Sequence, residues 1–407
     1  MSGLVTSTPA KPNSSLTGSN RLDALDGLRG IAAVLVVIYH FTARWTVQEN
    51  GESLYPYGDH LLEALPFLNL LGLYGVSLFF LISGFVIMMT LERSTGIADF
   101  AVRRASRLWP TMIVCATLTT LLISVSGIHL RFESISYWEI RPLEYLSSII
   151  FVDPAFTGTL LDIDGLQWVD GVYWTLWIEV RFYALVALTY WLTSGGQRFV
   201  WAWLFIQTCS VIILAMIELT RLEPRWILIL IFQPHQLYWF TLGMCGFLYW
   251  KGQMSTPIVA MAIMSVVVLA SDGASASTLA ANTLPLSRIL LNIAVVATFA
   301  LFLVRSPVIS LFSHRWAIAL GLASYTLYMF HERVGVIGMT AMSDLGIPPV
   351  MILPLMLAAV IATALLLHRF MEQPSKALML SAGMPAAKYL EKKWPFLAFH
   401  RNANERV

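Results

Sequence analysis

Apolar residues in this chain come in long uninterrupted runs, and the runs follow one another from about residue 26 to about residue 370. A helical run of about twenty apolar residues is what crosses about 30 Å of hydrocarbon. About ten such runs are visible, with cores near 26–45, 67–91, 108–126, 172–192, 199–219, 227–250, 256–271, 287–304, 316–339 and 350–370. The seventh and eighth are short. The pattern predicts an all-α, polytopic integral membrane protein with about ten transmembrane helices in one bundle. Residues 1–20 are rich in Ser, Thr, Gly, Pro and Asn and lack the apolar centre of a signal peptide, so they read as a disordered tail. The expected organisation is that tail, a transmembrane domain over 21–375, and a C-terminal tail over 376–407. No internal repeat is visible, and ten spans do not divide into two six-span halves.

Composition agrees with the runs: the 407 residues are 57% hydrophobic and 12% charged, with a mean hydropathy of +0.70, far from an ordinary soluble domain. A net charge of +2, scattered along the chain, leaves no footprint for nucleic acid. Lys and Arg sort by side. With the N-terminus inside, Arg29, Arg93, Arg103, Arg104, Arg107, Arg198, Lys251, Arg305, Arg315 and Lys376 fall on inner segments. The outer ones keep Arg44, Arg131, Arg141, Arg221, Arg225 and Arg288. That bias predicts both termini to be cytoplasmic. Cys115, Cys209 and Cys245 sit in apolar runs without ligand-like spacing, so neither a disulfide framework nor a metal site is expected.

Charges inside the runs carry the chemistry, because one near the bilayer centre costs about 2.5–3.5 kcal/mol and needs a partner or a task. Glu179, Arg181, Glu332 and Arg333 stand out. At a rise of about 1.5 Å per residue, His40 lies about 21 Å from the inner face, Glu179 roughly 20 Å, His331 near 22 Å and His235 near 18 Å. Four ionisable groups from four spans thus share a layer. They are either glue between helices or a site. His235 alone reads more simply as glue; His40, Glu179 and His331 together read as a site. Ser324, Tyr328 and His331, at i, i+4 and i+7, form one polar stripe suited to lining a cavity.

Arg29 and His40 bracket ten mostly apolar residues. Eleven helical steps make three turns plus roughly 20°, so both lie on one face, about 16 Å apart in depth. In the second span, Ser83 and Gly84 either admit a ligand or simply let helices pack closely. The inner loop RRASRLWP places Arg104 and Arg107 three apart at the foot of the next span, with Pro110 in its first turn. The pair is either a guanidinium clamp for phosphate or ordinary positive-inside charge. Between Gly127 and Gly171, carboxylates (Asp153, Asp162, Asp164, Asp170) mix with Trp138, Tyr145 and Trp168. Such a segment suits sugar hydroxyls and ring faces, and equally a solvated interfacial loop.

Taken in order, the Arg29/His40 spacing, LFFLISGF, RRASRLWP, WTLWIEVRFY, SYTLYMFH and the closing MEQP make the chain from about Arg21 to Pro374 resemble the acyltransferase family 3 membrane proteins. That resemblance implies O-acylation of surface glycans or lipid-linked sugars in a bacterial cytoplasmic membrane. It also implies an acetyl-CoA or other short acyl-CoA donor entering from the cytoplasm, phosphates held by Arg104 and Arg107, and an essential His40. Many relatives carry an acid where this chain has Ser77. Others add an extracytoplasmic SGNH hydrolase-like domain, which is not expected here, so the bundle either completes transfer itself or hands the acyl group to a separate extracytoplasmic protein.

The chemistry expected of these residues is deprotonation of a hydroxyl attacking a thioester, for which a neutral imidazole is suited. In one scheme His40 is the base, supported by Glu179, with Tyr328 or His331 placing the acceptor or stabilising the oxyanion. In another His40 carries the acyl group. Arg29, Ser83 and Gly84 are the further candidates for the donor site. A proton-coupled transporter or flippase of a sugar-linked or anionic substrate is the alternative from another class, and a non-catalytic scaffold a third.

Overall fold

The computed structural model describes residues 16–44, 65, 67–220, 231–233, 236–271 and 285–399, apart from some side chains. Residues 1–15 of the predicted tail and His235 lie outside them. The described chain is helical, with a single isolated bridge, between Gly96 and Ala398.

Six helices are long and apolar enough to cross a membrane, among the described residues. They are α1 (Leu16–Tyr39), α2 (Leu68–Arg93), α3 (Ile97–Ser126), α7 (Gly196–Thr220), α10 (Pro285–Leu303) and α14 (Pro349–Leu367). Between α3 and α7 come two short helices, α4 (Pro142–Ile149) and α5 (Pro154–Leu161), and then α6 (Trp174–Thr193). The stretch from 237 to 270 forms α8 (Leu237–Trp250) and the short apolar α9 (Thr256–Ala270). The expectation of about ten continuous spans is therefore too regular. The predicted ninth span is three pieces, α11 (Arg315–Leu322), α12 (Ser324–Phe330) and α13 (Glu332–Asp344), which break at Ala323 and His331. Apolar content cannot register such breaks, because the polar backbone they release is satisfied by neighbouring side chains.

Two more expectations change. RRASRLWP is not a loop; it belongs to α3, whose 30 residues give a rod of about 45 Å, longer than the hydrocarbon it crosses. Pro110 consequently lies inside this helix and not in its first turn. The predicted C-terminal tail opens with a helix: α14 runs through a π turn, His368–Glu372, into α15 (Gln373–Lys393).

α1 is the hub, lying against α2, α11, α12 and the segment Pro307–Ser313. Its residues Leu28, Ala32, Val36 and Val37 are fully buried. α2 sits between α1 and α8, and Gly84 and Gly243 set its approach to α8: a Cβ at Gly84 would strike the Phe240 carbonyl, and one at Gly243 the Leu81 carbonyl. Backbones this close are the usual way for helices to gain dispersion contact in lipid. Large apolar side chains such as Leu121, Phe205, Ile263, Leu290 and Leu366 are exposed. Facing outward on apolar helices, they suit hydrocarbon and not water.

Candidate active site

α1 ends in a π turn, His40–Arg44, and the break at His331 faces it. Both irregularities bring an imidazole into the buried centre. His331 Nε2 lies 2.9 Å from His40 Nδ1, with ring centroids 4.8 Å apart. His331 Nδ1 is 3.1 Å from the Leu327 carbonyl and 2.9 Å from that of Tyr328, the acceptors a histidine at the end of α12 is placed to satisfy. Carbonyl oxygens only accept, so His331 carries its proton on Nδ1 and leaves Nε2 as an acceptor. His40 Nδ1 meets two acceptors, that Nε2 and the Val36 carbonyl at 3.0 Å, and therefore also carries a proton. The hydrogen bonds thus place a proton on Nδ1 of each ring and make His331 Nε2 an acceptor. His40 Nε2 is directed elsewhere, 3.9 Å from Glu332 Oε1.

Glu332 was conspicuous in the sequence as an intramembrane charge, yet nothing there connected it to His40. The break at His331 makes the connection, since it re-aims the residue that follows. Asp170 was read as part of a solvated or sugar-binding segment; it is fully buried instead, accepting from the Arg333 backbone N–H at 3.1 Å. Trp138, from the same segment, is also fully buried, with the Arg333 guanidinium over its ring at 4.8 Å.

Glu179 lies elsewhere. It accepts from Ser83 Oγ at 2.6 Å and from the Tyr183 hydroxyl, and all three line a cavity between α1, α2, α3, α6 and α12. The ionisable groups in contact with His40 are His331 and Glu332, whereas Glu179 is held by Ser83 and Tyr183. The position of each residue around the bundle is not read from its depth along a helix.

The same cavity holds Arg29, Arg104 and Arg107 at one end and Phe79, Thr175 and Tyr328 at the other. Each arginine is held differently. Arg29 pairs with Asp26 at 3.6 Å. Arg107 donates to Glu372 Oε1 at 2.7 Å and lies over the Tyr325 ring. Arg104 donates to Thr90 Oγ1, while its buried Nε has no hydrogen-bond partner. A buried guanidinium N–H without a partner is costly, and its position at a cavity suits an anionic ligand. Glu372, chemically silent in the sequence, also accepts from Thr326 Oγ1 at 2.6 Å and lies 3.0 Å from His368 Nδ1. Gly84 is not among the lining residues; it faces α8.

Tyr328 separates cavity from histidines. Its hydroxyl accepts from Thr175 Oγ1 at 3.1 Å, and its ring packs edge-on against Phe79 and 5.9 Å from His331. The arrangement offers a cationic vestibule, a carboxylate held by two hydroxyls, and a bare imidazole nitrogen behind a tyrosine.

A family model described as an acyltransferase domain, acyltransferase 3, matches residues 22–369. The O-acetyltransferase PaAT-1 of Phomopsis amygdali is 31% identical over 186 residues, 38% of this chain and 37% of that protein. Nodulation protein 10 of Rhizobium leguminosarum bv. viciae is 30% identical over 131 residues, 31% of this chain and 35% of its own. The O-acetyl transferase of Shigella phage Sf6 is 26% identical over 193 residues, 47% and 53% of the two chains. This chain spans about a third to a half of the length of these relatives. No solved structure matches it. Since the matched region runs from the first turns of the hub helix to the π turn after α14, and holds the cavity arginines and both histidines, this multi-pass membrane protein belongs to the acyltransferase 3 family.

Proposed function

We propose that the protein is a membrane-embedded O-acyltransferase, in the first instance an O-acetyltransferase of the bacterial cytoplasmic membrane. It moves an acyl group from cytoplasmic acetyl-CoA to a hydroxyl of a glycan or lipid-linked sugar. The observation that supports this reading is the buried His331–His40 pair, which engages His40 through Nδ1 and so leaves Nε2 to meet an acceptor hydroxyl. In this scheme acyl-CoA enters from the cytoplasm with its phosphates at Arg104 and the neighbouring cationic end of the cavity, and its pantetheine arm runs past Ser83 and Glu179 toward Tyr328.

His40 Nε2 takes the proton of the acceptor hydroxyl as its oxygen attacks the thioester carbon. The C–O bond forms, the C–S bond breaks, and the proton passes from His40 to the leaving sulfur, so the base is regenerated. Tyr328 lies between the thioester and the histidines and suits a donor to the oxyanion. The same lone pair would serve a covalent acyl-imidazole relay, and chemistry separates the two.

The test uses the full chain in nanodiscs with radiolabelled acetyl-CoA, comparing wild type with His40→Ala after size exclusion shows that both are monodisperse. Wild type is expected to release CoA and the variant to lose that activity by about 100-fold or more. Hydroxylamine-labile label on the protein identifies the relay; release without label identifies the base. Failure of wild type to bind or turn over any short acyl-CoA sinks the enzyme reading in favour of transport.

A further inference from the structure

Glu332 and Asp170 are two carboxyls buried side by side, 3% and 0% exposed, and neither has a role in the scheme above. Their backbones bring them together: Asp170 Oδ2 accepts from the N–H of Arg333, the residue after Glu332, and Glu332 Oε2 lies against Gly171, the residue after Asp170. Asp170 is saturated on its outer side: Oδ1 accepts from the Val172 N–H at 3.3 Å and Oδ2 from the Arg333 N–H. Glu332 is not, because Oε2 is buried with no donor in reach. Two ionised carboxylates cannot sit this way in a low-dielectric interior, whereas a proton between them turns the contact into a hydrogen bond. The backbone accommodates the pair, since any side chain at Gly171 would meet Glu332 Oε2 at 2.6 Å.

The geometry points to this pair, sharing one proton, as the electrostatic partner of His40: Glu332 and Asp170 are positioning residues that hold the imidazolium formed when Nε2 takes the hydroxyl proton. Glu332 Oε1 faces Nε2 across 3.9 Å, too long to tie the neutral ring and close enough to meet a new N–H with a small movement. Arg333, with its Nη1 also buried and unpartnered by hydrogen bonds, balances the single negative charge of the pair. Among the described residues, the other titratable or charged groups that face this cluster are Tyr39 and Arg44 from the end of α1, His331, Tyr328 of α12, Cys115 of α3, and Tyr137 and Tyr173. The inference rests on His40 acting as the base.

Its test is the pH dependence of thiol release from acetyl-CoA in nanodiscs, with water as the acceptor, for wild type, Glu332→Gln, Glu332→Asp and Asp170→Asn. Glu332→Gln removes the facing charge: kcat falls about 100-fold and its acid limb moves at least about one unit to lower pH, because the imidazolium loses its partner. Asp170→Asn leaves Glu332 with the whole charge, so its acid limb moves the other way, to higher pH. Glu332→Asp recovers activity to within about tenfold of wild type. Opposite shifts support the shared proton; a merely structural pair lowers the rate or the yield of folded protein and leaves both limbs in place, which overturns it. If Glu332→Gln is not monodisperse, the upward shift in Asp170→Asn decides the matter alone. Absence of activity in wild type, or full activity in His40→Ala, removes the underlying reading as well; an inert His40→Ala beside an unchanged Glu332→Gln removes only this inference.

Discussion

At the scale of single residues, the site is governed by which atoms can donate. His331 is held by two carbonyls and offers one nitrogen to His40, so His331→Leu deprives His40 of the acceptor that fixes its tautomer. The expected result is a fall in kcat of about 100-fold with KM for acetyl-CoA changed less than about threefold, since His331 does not line the cavity. Steady-state kinetics in nanodiscs read this split directly. The two cavity arginines of α3 differ in kind. Arg104→Ala should raise KM for acetyl-CoA about tenfold or more and leave thermal unfolding in detergent unchanged. Arg107→Ala strands the Glu372 carboxylate without its cation, which should cost about 3–5 kcal/mol of stability, and adding Glu372→Gln should return part of it. These chemical identities were legible in the sequence: an arginine pair three apart, a histidine held in hydrocarbon, expensive charges in apolar runs. Which arginine was already engaged was not, because Glu372 lies far along the chain and only the fold brings it to Arg107.

At the scale of elements, helices break where function is densest. The π turn at His40, the interruption at His331 and the π turn at His368 each lie beside a buried ionisable group, a pattern common to such irregularities. Hydrophobic periodicity cannot announce them, because a π turn or a one-residue interruption leaves apolar content untouched. For that reason the ninth run read as one span, and Glu332 had no assigned direction. A rise per residue predicts depth along each helix but says nothing of rotation about the bundle. Glu179 therefore meets Ser83 and Tyr183 while His40 meets His331, a difference the depths could not announce. Packing elements gives its own prediction: Gly84→Ala should lower the thermal stability of the folded protein by about 1–3 kcal/mol, by forcing α2 from α8. Because Gly84 faces away from the cavity, KM for acetyl-CoA in whatever fraction folds should stay as in wild type; a rise in KM without loss of stability would return Gly84 to the donor site.

Across the whole molecule, one cavity is lined both by the arginines Arg29, Arg104 and Arg107 and by Phe79, Thr175 and Tyr328 of the closely packed centre. Class, membrane character and family resemblance were all readable in the linear pattern, since bilayer thickness imposes its length on every run. The described structure differs in how the end of the bundle nearest the C-terminal helix is finished. The C-terminal helix packs along α3, where Glu391 accepts from the Asp99 backbone N–H at 2.9 Å and from Thr95 Oγ1 at 2.7 Å. Beyond it, Phe396 and Phe399 fasten onto Trp191 and Tyr190 of α6. This clasp has a consequence for biosynthesis. The first turn of α3, on the helix that presents Arg104 and Arg107, lacks its tertiary partners until Glu391 and Phe399 have been made, so a nascent chain carrying every apolar run still lacks the contacts that fasten the arginine-bearing helix. The order of synthesis thus delays completion of the site until the bundle is already in the bilayer.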